Sequence, residues 1–341
     1  MPTISSENKA IEDWQKQEIP ETVLEPELEI IDPHHHLWDL RQIERPNSFQ
    51  QKVYLCQDFS HDISESGHNI VQTVFAQCGA FYRVDGPEEM RCVGETEFVH
   101  GMAAMSRSGL YGTMRICTGI FGTADLQLGA GVERVLEGHM SASDYFRGIR
   151  SPFPSQLNKE YLDGFSILDK YNLSFDNYSP DFDRLPTLAV LARKFPNVTI
   201  IVNHLGGKID PNADQETILR WQHAINIVAD CPNVVMKAGG AQQRVGPWEP
   251  PFHMNQRSVP IGSEELSELL YPYYRYVIDR FGPERCMFES NFPVDKECVS
   301  YRTLWNTFKR IASKAGLSES EKKSIFSGTA IRAYRLNKKL S

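Results

Sequence analysis

Leu28-Glu29-Ile30-Ile31-Asp32-Pro33-His34-His35-His36-Leu37-Trp38-Asp39 is a short apolar run that turns polar at its end. Side chains alternate along a strand, so His34 and His36 share one face, His35 takes the other, and two imidazoles can converge on one point. An HxH pair at a strand end is a metal-ligand pattern, with a hydrogen-bonded structural cluster as its plain alternative.

The same design recurs along the chain. Val198-Thr199-Ile200-Ile201-Val202-Asn203-His204-Leu205-Gly206-Gly207 is an apolar strand running into His204 and a glycine turn. Its unbroken apolarity implies burial on both faces, as in a parallel sheet, and a histidine at the polar end points to function. Cys286-Met287-Phe288-Glu289-Ser290-Asn291-Phe292-Pro293-Val294-Asp295 is a third example, with Glu289 and Asn291 expected on one face.

Further runs at 70–76, 102–105, 146–149, 173–175 and 234–236 bring the strands to eight, separated by crossovers, and predict a closed parallel (β/α)8 barrel. One helix is expected from Pro186, another after Ser263 until Gly282-Pro283, and Ser318 with Glu321 has capping-box spacing. Residues 1–27, Glu-rich and interrupted by Pro20 and Pro26, read as an N-terminal arm, and residues 28–341 as the barrel. Residues 244–262 have no period and are expected to form a long loop after the seventh strand, at the end where barrels keep their sites.

The whole chain has 341 residues, 41% apolar and 23% charged, enough for a large core without staples. With 36 basic and 44 acidic side chains the net charge is -8, which argues against nucleic acid or an anionic membrane as partner and leaves a small-molecule substrate. Seven scattered cysteines without CxxC spacing fit reduced thiols. Residues 1–27 lack a secretory pattern and no run approaches a membrane span, so a cytoplasmic protein is expected. A homo-oligomer is left open.

The HHH strand end, NHLGG and FESNFPVDK, together with VGETE at 93–97, FRGIR at 146–150 and the GTA at 328–330, resemble the amidohydrolase-related TIM-barrel superfamily. The closer likeness is to its branch of predicted metal-dependent hydrolases containing 2-pyrone-4,6-dicarboxylate lactonases and sugar lactonases. The resemblance implies that His34, His36 and His204 could hold one divalent metal such as zinc. Catalysis without a metal stands beside this, since lactonases of the branch resemble metal-independent enzymes. The eighth-strand position usually held by a proton-shuttling aspartate falls on Asn291, whose amide takes no proton at neutral pH. No carbamylatable lysine or fifth-strand histidine stands at the matching positions, so a binuclear centre is not expected.

The expected function is hydrolysis of a lactone or related cyclic ester of a small carboxylated substrate. Glu289 is expected as general base ahead of His204, with Asn291 at the vacated position and Asp295 solvated. Arg147, Arg150 and Arg244 are candidates for an acidic substituent, with Arg150 expected in the mouth rather than Arg147. Trp38, Tyr178 and Trp248 are candidate walls for an organic ring. A metal-dependent decarboxylase of an aromatic acid is the enzymatic alternative, and a non-catalytic binding barrel is the alternative of another class.

Overall fold

The computed structural model describes residues 8–41, 51–209, 213–240 and 250–337. Eight parallel strands follow one another around a barrel: β1 Ile30–His35, β2 Ile70–Ala76, β3 Arg115–Gly122, β4 Phe146–Arg150, β5 Ser174–Asn177, β6 Ile200–Val202, β7 Val234–Gly239 and β8 Cys286–Glu289. Each pairs with the next in chain order. Closure comes just beyond β8, where the Asn291 N–H donates to His34 O at 2.9 Å and the His36 N–H to Phe292 O at 2.7 Å. This is the single (β/α)8 TIM barrel that the repeating apolar runs predict.

One strand lies elsewhere than its expected run. Met102–Met105, expected as the third strand, lies inside the helix Val93–Arg107, and the strand is Arg115–Gly122. Met-Ala-Ala-Met favours helix, and Thr96, Val99, Ala103 and Ser106 are buried at helical spacing. The helix at Pro186 spans Leu185–Lys194, and Ser263–Phe281 ends at Gly282. The Ser318–Glu321 capping box forms as its spacing predicts.

The barrel has two separate apolar regions. Outward-facing strand residues pack on the helices. Inside, Ile31, Val74, Phe121, Ile201 and Met287 meet Tyr334 and Leu336, so the C-terminal segment fills the lumen beneath the site. That filling makes the lumen a packed core and leaves only its C-terminal mouth for chemistry.

The arm lies on the barrel's outer helices. Ile11 and Trp14 are buried, and the Trp14 indole N–H donates to Arg257 O at 2.9 Å. The Glu18 carboxylate accepts from Ser300 Oγ at 2.7 Å, and the Glu21 carboxylate accepts from the Ser263 N–H at 2.6 Å. Both negative charges thereby sit at the start of a helix, Glu21 on a free backbone N–H and Glu18 on the hydroxyls of Ser300 and Thr303. All seven cysteines are unpaired. Among the described residues no helix is long and apolar enough to cross a membrane.

Candidate active site

Asp32 anchors the end of β1 to the end of β8. Its carboxylate accepts from the Ser290 N–H at 3.0 Å, Ser290 Oγ at 2.5 Å and the Tyr301 hydroxyl at 2.8 Å. Burial pushes its carboxyl up to about 6, against the pull of these donors. With that joint fixed, the register shift of β1 between Asp32 and His35 turns His34 and His36 into the lumen. His35 faces the other way, 4.3 Å from the Phe59 ring and 2.9 Å from Thr73 Oγ1.

His34 is the hub of the cluster. Its ring centroid lies 4.9 Å from that of His36 and 4.8 Å from that of His204. Glu289, fully buried at the end of β8, sits behind two of the rings, with Oε1 2.7 Å from His204 Nδ1 and Oε2 2.8 Å from His34 Nδ1. His34, His204 and Glu289 each offer a ligand atom, all within 4.8 Å of one another. Two glycines of β7 and its exit leave room for this. A Cβ on Gly239 would stand 2.2 Å from Glu289 Cγ, and one on Gly240, at φ +68, would stand 2.2 Å from His204 Nδ1.

The hydrogen bonds fix most of the proton positions. His36 Nδ1 is 2.7 Å from Ala76 O, and a carbonyl only accepts, so His36 Nε2 carries the lone pair. That Nε2 faces His34 Nε2 at 3.3 Å. If His34 holds its proton on Nδ1, towards Glu289, two lone pairs oppose each other. If His34 Nδ1 instead accepts from Lys237 Nζ, 3.2 Å away, Glu289 Oε2 is left buried without a hydrogen bond beside a ring lone pair. Either arrangement leaves an electron-rich atom uncompensated, and a cation at the two Nε2 atoms relieves the first. Donors about 2.05 Å from a tetrahedral zinc lie about 3.3 Å apart, so the donor set fits such an ion. Burial holds both rings well below the usual imidazole range, with Lys237 next in effect at His34 and Arg150 at His36, so both stay neutral and able to ligate.

Arg150 stands at the mouth, where its guanidinium bonds Gln77 O and lies 5.3 Å from the Tyr178 ring centroid. Tyr178 meets His204 edge-on at 5.7 Å. Trp38, only 2% exposed, stacks on His36 at 5.8 Å and backs that ring. Arg147 bonds the carbonyls of Asp144 and Phe146 at the opposite end of β4 and does not reach the mouth. The sequence expected Asn291 to share a face with Glu289. Instead its φ is +55, alternation ends there, and its amide donates to Asp295 at 2.9 Å. Asp295, expected in solvent, is fully buried. Arg244 and Trp248 lie outside the described residues.

Sequence reasoning did not place Lys237 and Asp176 in the site. Both are fully buried, with Nζ 2.8 Å from Oδ1, and the Tyr334 hydroxyl donates to the same oxygen at 2.7 Å. The available signal was a lysine following the apolar run of β7 and preceding Gly239-Gly240.

Fold and site define a parallel barrel whose mouth carries an imidazole and carboxylate cluster. The chain belongs to the amidohydrolase family, whose profile matches residues 131–336. An uncharacterized protein, y4mH, of Sinorhizobium fredii is 32% identical over 337 residues, covering 91% of this chain and 99% of that one. An L-rhamnono-gamma-lactonase of Scheffersomyces stipitis is 25% identical over 190 residues, 52% of this chain and 53% of the relative. A crystal structure of an amidohydrolase from Burkholderia multivorans with bound zinc superposes with a TM-score of 0.67 at 21% identity, covering 90% of this chain and 99% of that one.

Proposed function

We propose that the protein is a hydrolase that opens the ring ester of a small carboxylated lactone by attack of water. The observation that carries this reading is the pair of neutral imidazoles, His34 and His36, with Nε2 atoms 3.3 Å apart beside the Arg150 guanidinium in one mouth. The lactonase name of a relative supports the ester class, and the zinc in a structural neighbour supports a divalent ion.

His34 and His36 would hold the ion through Nε2, and Glu289, 2.8 Å behind the His34 ring at Nδ1, would orient that ligand. When bound, the ion would supply Lewis-acid polarisation of the lactone carbonyl. Arg150 pairs with the substrate carboxylate, and Tyr178 forms the wall beside it. His204, fixed through Nδ1 by Glu289, presents Nε2 to the mouth, takes the proton of the attacking water and returns it to the leaving ring oxygen. Glu289 is less suited to that step, because both of its oxygens face imidazoles from behind.

A second reading, without a metal, is favoured by the Lys237 ammonium 3.2 Å from His34 Nδ1, which supplies positive charge from the protein itself. Metal content on purification separates the two. The reaction class is tested by mass spectrometry of the product from a panel of carboxylated lactones. Gain of one water with all carbons retained is expected, whereas release of carbon dioxide from an aromatic acid, with every lactone left intact, would contradict hydrolysis.

A further inference from the structure

The Asn203–Gly207 turn that follows β6 holds a second polar side chain, Asn203, to which the chemistry above gives no part. Along β6, Ile201 faces the lumen and Val202 the outer helices. Asn203 keeps an extended backbone, at φ -81 and ψ 148, and its N–H continues the ladder to Asn177 O at 3.0 Å, so its side chain points inward again. It stands one residue past the pairing of Val202 with Asn177 and Met236, level with Tyr178 and Lys237. Asn203 is 2% exposed, and neither Oδ1 nor Nδ2 has a hydrogen-bond partner. No other buried side chain among the described residues leaves two such atoms unpaired.

A dry, wholly unpaired amide destabilises the fold, and an apolar side chain of the same shape would avoid that penalty. The backbone beside it is strained as well. Alternation would turn His204 outward, but His204 and Leu205 take left-handed φ values of +52 and +56, a conformation disfavoured for residues with a Cβ. The turn thereby sets two successive side chains, Asn203 and His204, at one mouth. The geometry points to Asn203 as a catalytic residue whose amide binds the tetrahedral carbon formed during ring opening. The inference rests on the lactone reading above. When water attacks, its oxygen bonds to the carbonyl carbon, the carbonyl π pair moves onto oxygen, and one water proton passes to His204 Nε2. That carbon then carries an oxyanion and a hydroxyl, spaced as Nδ2 and Oδ1 are, because each pair flanks a single carbon. Nδ2 donates to the oxyanion, and Oδ1 accepts from the hydroxyl. Collapse breaks the bond to the ring oxygen, which takes the proton back from His204. Only the tetrahedral species offers both partners, so the amide lowers the barrier without tightening the hold on the lactone itself.

The test compares the full-length wild type, Asn203→Leu and Asn203→Ala by steady-state kinetics on a carboxylated lactone and by thermal melting. Asn203→Leu keeps the shape and removes both unpaired atoms, so it should melt at or above the wild-type temperature. Its kcat should nevertheless fall by about 10²–10³-fold, the effect of one oxyanion donor, with KM within about threefold of wild type. Asn203→Ala should lose kcat to the same extent. A lower melting temperature in Asn203→Leu, or its failure to fold, would show that the amide serves the fold and would overturn the proposal. So would a kcat within about threefold of wild type in either folded variant, or a loss confined to KM. If the folded wild type opens no carboxylated lactone, the lactone reading falls. Melting of Asn203→Leu at or above wild type would then still assign the unpaired amide to a ligand, whereas a lower temperature would remove that assignment as well.

Discussion

Replacing Glu289 by glutamine removes one negative charge and almost no volume from a side chain that touches two imidazoles. The carboxylate now lies 2.7 Å from His204 Nδ1 and 2.8 Å from His34 Nδ1. A glutamine amide has one accepting oxygen and one donating nitrogen, so one of the two rings must face an N–H donor. If that ring is His204, its Nδ1 must give up the proton and Nε2 gains it, which leaves the mouth without a proton acceptor. General base catalysis contributes on the order of 10²–10⁴ in rate. At about 1.4 kcal/mol per decade, the loss is about 3–6 kcal/mol of transition-state stabilisation. Lys237 keeps Asp176 at 2.8 Å, so the stability cost should stay below the roughly 3–5 kcal/mol of leaving a buried charge wholly unpaired. The assay is kcat and KM on a hydrolysed lactone from pH 5 to 9, beside a urea melt of each protein. Glu289→Gln should lose kcat by at least a hundredfold with a smaller change in KM. A variant within threefold of the wild-type kcat across the profile would refute the orienting role.

Arg150→Met should raise KM for a carboxylated lactone by roughly 10–100-fold, the value of one charge-assisted hydrogen bond, with kcat changed far less. An equal loss of kcat at unchanged KM would move Arg150 out of substrate binding. Gly240→Ala puts a Cβ at positive φ and 2.2 Å from His204 Nδ1, so it should cost about 1–2 kcal/mol of stability and at least tenfold in activity. Wild-type activity in that variant would remove the steric argument. His139 and His68 are held down to about 4 and about 3 by burial, against an unfolded value near 6.5. The unfolded chain therefore binds protons below pH 6.5 that the fold refuses, and stability is lost as pH falls, by about 1.4 kcal/mol per unit for each group. Asp32, raised to about 6, holds a proton in the fold and offsets one such group between pH 6 and 3.8. Urea midpoints should be level between pH 7 and 8, where Lys309, lowered by burial to about 8, does not yet contribute, and fall between pH 6.5 and 5, less steeply in His139→Gln, and a midpoint independent of pH would contradict this.

The parts of the fold legible in the sequence are those where apolar runs end abruptly in polar residues. β1, β6 and β8 announce themselves in this way because both faces of a barrel strand are buried until it reaches the mouth. The third strand is not legible, because Met-Ala-Ala-Met satisfies the length of a short strand while its helical spacing shows only over the whole of Val93–Arg107. Within the site, the convergence of His34 and His36 follows from period-two alternation alone. The placement of Asn291 does not, because its left-handed backbone ends the alternation after β8. Lys237 and Asp176 stayed hidden for another reason. A lysine or aspartate in a short strand ordinarily faces solvent, and only the three-dimensional closure of the barrel brings the two within 2.8 Å. Gly239 and Gly240 carried the missed signal, since two glycines at a strand exit make room for side chains arriving from other strands.

The central claim, that His204 moves a proton during lactone opening at this mouth, is tested most directly by titrating acid released from a carboxylated lactone by the wild type and by His204→Asn. The wild type should release one equivalent of acid per substrate with saturable kinetics, and folded His204→Asn should lose at least a hundredfold in kcat. Unchanged turnover in His204→Asn, or no acid release by the folded wild type from any lactone with or without added zinc, would contradict the account.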